Sequence, residues 1–191
     1  MSRGSSTGIS SRPTSSSPGD ATECESMIRW ATNYSGPVYL RLTRDPGPDF
    51  VDASYEFVPG KTYQLRQGSD VLLVSTGPQT ARCLDAADLL EKAGISAGVL
   101  HVPSIKPVNE EEIVAASNVV PLVVTVEEHH VLGGLGGLVA EILSARAPKK
   151  VIRFGIEDRW GESAPNDYLL EEFGLSATKL NERIQKLLTK S

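Results

Sequence analysis

The sequence predicts a three-layer α/β/α fold built on a mostly parallel sheet. Three observations over residues 70–155 carry this reading. Apolar runs of strand length alternate with helix-length stretches, the pattern of βαβ units. The runs "VLLVSTG", "SAGVLHV" and "PLVVTVEE" are nearly continuous, as strands covered on both faces are. Punctuation falls between them: Pro78 opens one helical stretch and Gly94 closes it.

In chain order, the first seventeen residues, "MSRGSSTGISSRPTSSS", carry almost no apolar side chains to bury. Ordering them would not offset their entropy, so residues 1–17 are expected to form a disordered tail. A helix follows in "SPGDATECESMIRWATNY", with Asp20 as its cap, Glu23 completing a capping box, and Met27, Ile28, Trp30 and Ala31 on the buried face. "GPVYLRLTRD" reads as a short strand with Val38, Leu40 and Leu42 on one side, Tyr39, Arg41 and Thr43 on the other, and Arg44 just past its end. Residues 45–54 are a linker, and "YEFVPGKTYQLRQGSD" a hairpin-like lead-in with a turn at Gly68-Ser69-Asp70. After the alternating core come the strand "KKVIRFG" and two closing helices, "NDYLLEEFG" and "ATKLNERIQKLLTK".

Bulk composition narrows the function. The net charge is −5, with cations spread among acids, which argues against a nucleic-acid groove. Two widely separated cysteines, Cys24 and Cys83, give neither a disulfide framework nor a thiolate metal site. No apolar run reaches the ~18–20 residues of a membrane span, and the N-terminus lacks the apolar core of a signal peptide. The expected location is the cytoplasm, with no membrane partner.

The stretch "VEEHHVLGGLGGLVAEIL", Val126 to Leu143, invites three readings. As a dinucleotide fingerprint it fails: Gly134 and Gly136 take the first two glycine positions, but Val139 takes the third. As a phosphate-binding P-loop it also fails, because Leu138 follows Gly137. As a metal site, Glu127, Glu128, His129 and His130 are adjacent residues that point in different directions, with no further ligand at helical spacing; no metal is expected. The remaining reading is a sharp strand-to-helix turn whose glycines allow close packing. A helix N-terminus at that turn can still hold an anion or a partner's carboxylate.

The segments "SPGDATE", "GPVYLRLTRD", "GKTYQLRQGSDVLLVSTGPQ", "LLEKAGISAGVLHVPSIKP" and "VVTVEEHHVLGGLGGLVAEIL", in that order, resemble the C-terminal part of the transketolase family. The likeness covers roughly residues 17 to 190. "VEEHHVLGGLGGLVAE" is most similar to the C-terminal subunits of split transketolases, and "PSIKPVNEEEI" to transketolase and 1-deoxyxylulose-5-phosphate synthase. The resemblance implies residues 18–50 as a remnant of a pyrimidine-binding domain plus linker, and 51–191 as a transketolase C-terminal domain. In this family thiamine diphosphate and magnesium are held by a Gly-Asp-Gly motif and a glutamate in preceding domains. Neither half-site is complete here, so the chain is expected to bind no cofactor alone and to carry no catalytic residue.

Carried over by the resemblance, Arg44 matches the arginine that contacts the sugar-phosphate substrate. The physics agrees, since ligands of open α/β sheets collect at the carboxyl ends of strands and a guanidinium offers paired donors to phosphate. The alternative is a surface arginine paired with Asp45 or Asp49; Arg41 is the weaker candidate. His101 ends a strand, where it either lines an interdomain cleft or packs. His129, Gly133 and Gly134 lie at the glycine turn, where a dimer partner can approach. Ser75-Thr76-Gly77 offers hydroxyls for helix capping, and Trp160 in "EDRWGESAPND" is an interface anchor on a loop.

These readings imply a C-terminal fragment or subunit of a transferase that moves a two-carbon ketol unit between sugar phosphates of pentose phosphate type. Such a chain is inactive alone, homodimeric, and partnered by an N-terminal subunit. The rivals are a non-catalytic α/β dimerisation module and a fragment of a 2-oxoacid dehydrogenase beta subunit.

Overall fold

The computed structural model describes residues 13–44 and 47–189. Its centre is a five-stranded sheet. The strands are β3 (Tyr63–Arg66), β4 (Val71–Ser75), β5 (Ala97–His101), β7 (Leu122–His130) and β8 (Val151–Ile156). Their order is β3-β5-β4-β7-β8; β3 runs antiparallel to β5 and the other pairings are parallel. A strand buried on both faces is mostly apolar, and the inner strands of this sheet divide their apolar side chains between two separate cores, with Ser75, His101, Thr125 and Glu127 as buried polar exceptions. Val71, Leu73, Val99, Val124 and Val126 point to one face, against Leu90 of α2 (Gln79–Lys92), Leu170 of α5 (Asn166–Glu172), and Leu180 and Ile184 of α6 (Ala177–Leu188). Leu72, Val74, Leu100 and Val123 point to the other, against Ile113 of α3 (Glu110–Asn118) and Val139 and Leu143 of α4 (Leu135–Arg146). The expected three-layer α/β/α arrangement is therefore present.

A smaller sheet sits at one end, with β2 (Val38–Leu40) parallel to β1 (Thr14–Ser16) and β1 antiparallel to β6 (Ser104–Lys106). This corrects the expected tail at residues 1–17: Thr14–Ser16 form the central strand of that sheet, while residues 1–12 lie outside the described residues. Backbone pairing supplies the order that polar side chains could not.

Helix α1 (Ala21–Thr32) begins as expected, with the Asp20 carboxylate accepting the Glu23 N–H at 2.8 Å. The other half of the capping box differs: Glu23 accepts from Gly19 N–H, at 2.7 Å, and its side chain is buried. Ile28, expected inside, is 45% exposed, and Met27 is the fully buried apolar residue of that helix. Trp30 instead stacks on Tyr34 with ring centres 4.7 Å apart and meets the edge of Phe57. The hairpin-like lead-in yields a single strand, β3, whose partner is β5 rather than a sequence neighbour. Among the described residues no helix is long and apolar enough to cross a membrane.

Candidate functional site

The order of strands locates a crevice. From β4 the chain crosses to β5 on one side and later to β7 on the other, so the connections leaving β4 and β7 diverge. The crevice at those strand ends encloses about 120 Å³. Thr76, Glu127, His129, Gly133 and Gly134 line it from the large sheet, while Ser15–Ser17, Tyr39 and Arg41 close it from the N-terminal segment. Three residues singled out from sequence, His129, Gly133 and Gly134, thus meet in one place with the weaker candidate Arg41.

The glycine turn is a packing device, and the residue that explains it is Glu127. Its carboxylate is 2% exposed and accepts the backbone N–H groups of Leu135 at 2.8 Å and Gly136 at 2.7 Å. It neutralises the positive end of α4, where a ligand anion would otherwise be held. A methyl group on Gly134 would fall on the Glu127 carboxylate, and one on Gly136 would stand 2.7 Å from Thr125 Oγ1. Gly133 takes φ +76°, a conformation that glycine adopts without strain. The anion-holding reading of this helix end is therefore corrected: the chain fills it itself.

Beyond Glu127, the strand end grips the N-terminal segment. Arg41 donates to the Glu128 carbonyl at 2.5 Å, and the Glu128 carboxylate takes Arg82 at 3.1 Å. His129 is exposed, with Nδ1 2.8 Å from its neighbour's carbonyl and 3.8 Å from Glu127 Oε2.

His101 lies outside the crevice, completely buried at the end of β5. Its Nε2 is 2.8 Å from Glu23 Oε2, and its Nδ1 is 2.7 Å from Thr80 Oγ1, itself 2.9 Å from Ser75 Oγ. Tyr55 donates to the other Glu23 oxygen at 2.5 Å. Hydroxyl, imidazole and carboxylate are connected here as in a nucleophilic relay. Thr80, His101 and Glu23 are all 0% exposed, so no substrate reaches them and the relay is structural. His101 thus packs rather than lining an open cleft. Ser75 joins this chain instead of capping α2, whose start at Pro78 has no side-chain cap.

Arg44 is exposed at the bend after β2. Thr43 beside it lines a second cavity of about 500 Å³, shared with Gly19, Pro78, Arg82, Asp85 and Asp167. Among the described residues Arg44 forms no ion pair with Asp49; Asp45 lies outside them. Trp160 is 94% exposed on the loop before α5 and does not join the crevice. Sequence reasoning passed over Thr80 and Tyr55, weighed Glu127 only as a metal ligand, and read Glu23 only as a cap. An acid one helical turn from the buried Met27 was the available signal for Glu23.

Comparison with known proteins agrees with this architecture. Residues 60–180 match the family described as transketolase, C-terminal domain. A transketolase family protein of Sinorhizobium fredii is 41% identical over 175 residues, 90% of this chain and 51% of its own length. The 6-deoxy-6-sulfo-D-fructose transketolase subunit of a Clostridium species is 38% identical over 163 residues, 85% of this chain and 51% of its own. Among solved structures, a split-gene transketolase described as an inactive beta4 tetramer superposes with a TM-score of 0.84 at 37% identity, covering 93% of this chain and 57% of that one. The chain spans about half the length of these relatives. With the α/β/α sheet, the glycine turn and these likenesses together, the chain belongs to the transketolase family, and residues 60–180 are its transketolase C-terminal domain.

Proposed function

We propose that this chain supplies the C-terminal part of a thiamine-diphosphate-dependent transferase that moves a two-carbon ketol unit between sugar phosphates. The supporting observation is likeness to a transketolase family protein over 90% of the chain and to a transketolase subunit over 85%, which extends beyond the C-terminal domain into the N-terminal segment. Residues 18–50 are then the end of a pyrimidine-binding domain and 51–191 the domain that packs and dimerises. Arg44 contacts the substrate phosphate, and an N-terminal subunit or preceding domains complete the enzyme in the cytoplasm.

When bound in the complete enzyme, thiamine diphosphate supplies the electron sink for the carbanion. The residues described here do not fit that cofactor. The α4 N-terminus that would take a diphosphate already holds the Glu127 carboxylate. No group of three or more His, Cys, Asp or Glu side chains is placed to hold a magnesium ion among the described residues. This chain's own part is therefore to position Arg44 and to present packing surface.

Calorimetric titration of the purified chain with thiamine diphosphate and magnesium tests the division of labour. No saturable heat is expected, and micromolar binding overturns the reading. In the assembled enzyme, Arg44→Ala is expected to raise KM for phosphorylated substrates; unchanged kinetics removes Arg44 from the site.

A further inference from the structure

We propose that the cavity between the end of β8 and the α5–α6 corner binds a hydroxylated phosphomonoester, its phosphate on Arg183 and Lys179 and its hydroxyls on Glu157 and Glu171. The inference is independent of the catalytic reading, whose phosphate contact, Arg44, does not line this cavity. The cavity encloses about 410 Å³, the size that takes a small organic ligand rather than a lone ion. Glu157 and Arg159 enter it from just past the carboxyl end of β8, the end of a parallel strand where ligands of open α/β sheets collect.

Arg183 is the built part of the site. Its guanidinium lies 3.6 Å from the centre of the Phe154 ring, a residue 4% exposed, and donates to the Gly174 carbonyl at 3.0 Å. Gly174 follows α5 at φ +69°, and a methyl group there would stand 3.0 Å from Arg183 Nη1. Ring and carbonyl fix the guanidinium before any ligand arrives, which lowers the entropy lost on binding. They do not neutralise it. Among the described residues no carboxylate lies within ion-pair reach of Arg183. One carbonyl occupies one of five N–H groups, which leaves most of the fork for a ligand. Burial lowers the guanidinium pKa, with the more distant Glu157 charge opposing.

Lys179 stands four residues before Arg183 on α6, so the two cations share a face of the helix, an unfavourable pairing that a bridging anion relieves. Lys179 meets Glu171 at 3.9 Å, and Arg159 meets Glu172 at 3.6 Å. Such half-exposed pairs contribute little and re-form around a ligand at small cost. A phosphate, with three acceptor oxygens, suits a guanidinium fork beside an ammonium. Glu157, Glu171 and Glu172 line the same cavity, so a bare phosphate meets repulsion there, whereas the hydroxyls of an ester donate to those carboxylates.

Titration of the isotope-labelled full chain, followed by amide shifts in nitrogen–proton NMR, tests the site. The probes are adenosine 5′-monophosphate, glucose 6-phosphate and inorganic phosphate. Saturable shifts at Gly155, Glu157 and Gly174 are expected with at least one ester, and the tighter ester tells whether a nucleotide or a sugar phosphate is the ligand. Inorganic phosphate should bind about tenfold or more weakly. Arg183→Met keeps a flexible apolar side chain on Phe154 and should weaken the ester by about tenfold or more, whereas Arg44→Ala should leave it unchanged. No saturable shift with either ester, phosphate as tight as the esters, or loss in Arg44→Ala in place of Arg183→Met overturns the proposal. Should Arg183→Met not fold, the double variant Arg159→Ala/Lys179→Ala decides, and undiminished ester binding there overturns the site.

Discussion

The carboxylate of Glu127 and the backbone N–H of Gly136 lie 2.7 Å apart although nine residues separate them, and together they turn the end of β7 into the start of α4. Removing that carboxylate exposes two buried N–H groups at a positive helix end. Glu127→Ala is expected to cost about 2 kcal/mol in urea denaturation. Gly134→Ala places a methyl on the same carboxylate and should destabilise as well. In the double variant the methyl has room, so the two losses should sum to less than their separate values. Strict additivity would mean that Glu127 does not dictate the glycine.

Tyr55 links stability to alkaline pH. Burial first, then the neighbouring Glu23 charge and the hydrogen bond to it, raise its phenol well above the ordinary 10.0. The folded state therefore holds the proton more tightly than the unfolded chain. Its contribution is complete below about pH 10 and declines as pH rises beyond it, because the unfolded tyrosine ionises first. Tyr55→Phe should reduce the steepness of alkaline unfolding. An unchanged profile would show that Tyr55 ionises freely in the fold.

Thiol chemistry separates the two cysteines. Cys83 is completely buried against the sheet and its thiol is pushed up to about 12, with burial the main cause. Cys24 is partly exposed, and burial also raises its thiol. A disulfide reagent at mild alkaline pH should titrate one thiol slowly in the native chain, at Cys24, and both after denaturation. Rapid labelling of Cys83 would contradict the packing under β4.

Side chains on α1 and α6 offer a contrast in burial. Ile184→Ala, at a residue 0% exposed, should cost about 2–5 kcal/mol. Ile28→Ala, on the half-exposed face of α1, should stay within about 0.5 kcal/mol. Equal losses in thermal or urea melts would place Ile28 in the core after all.

Strands buried on both faces announce themselves, which is why β4, β5 and β7 were legible as apolar runs. Strand β1 was not. Its residues are Thr and Ser, its order comes from backbone pairing, and one partner, Lys106, stands opposite Ser15 from far along the chain. The Glu127 cap was hidden for a different reason: a register shift between Val126 and His130 breaks the alternation that tells an inward acid from an outward one. Glu23 and His101 were each visible, but nothing local joins residues so distant. The geometry of the glycine turn was readable because failed motif tests left close packing as its remaining physical use.

The seating of β1 between β2 and β6 has a consequence for biosynthesis. A ribosome makes β1 well before β6, so the antiparallel partner of β1 and the imidazole partner of Glu23 emerge only after residue 100. Until then β1 has no antiparallel neighbour to pair with, so this earlier strand waits on a later one to complete its sheet.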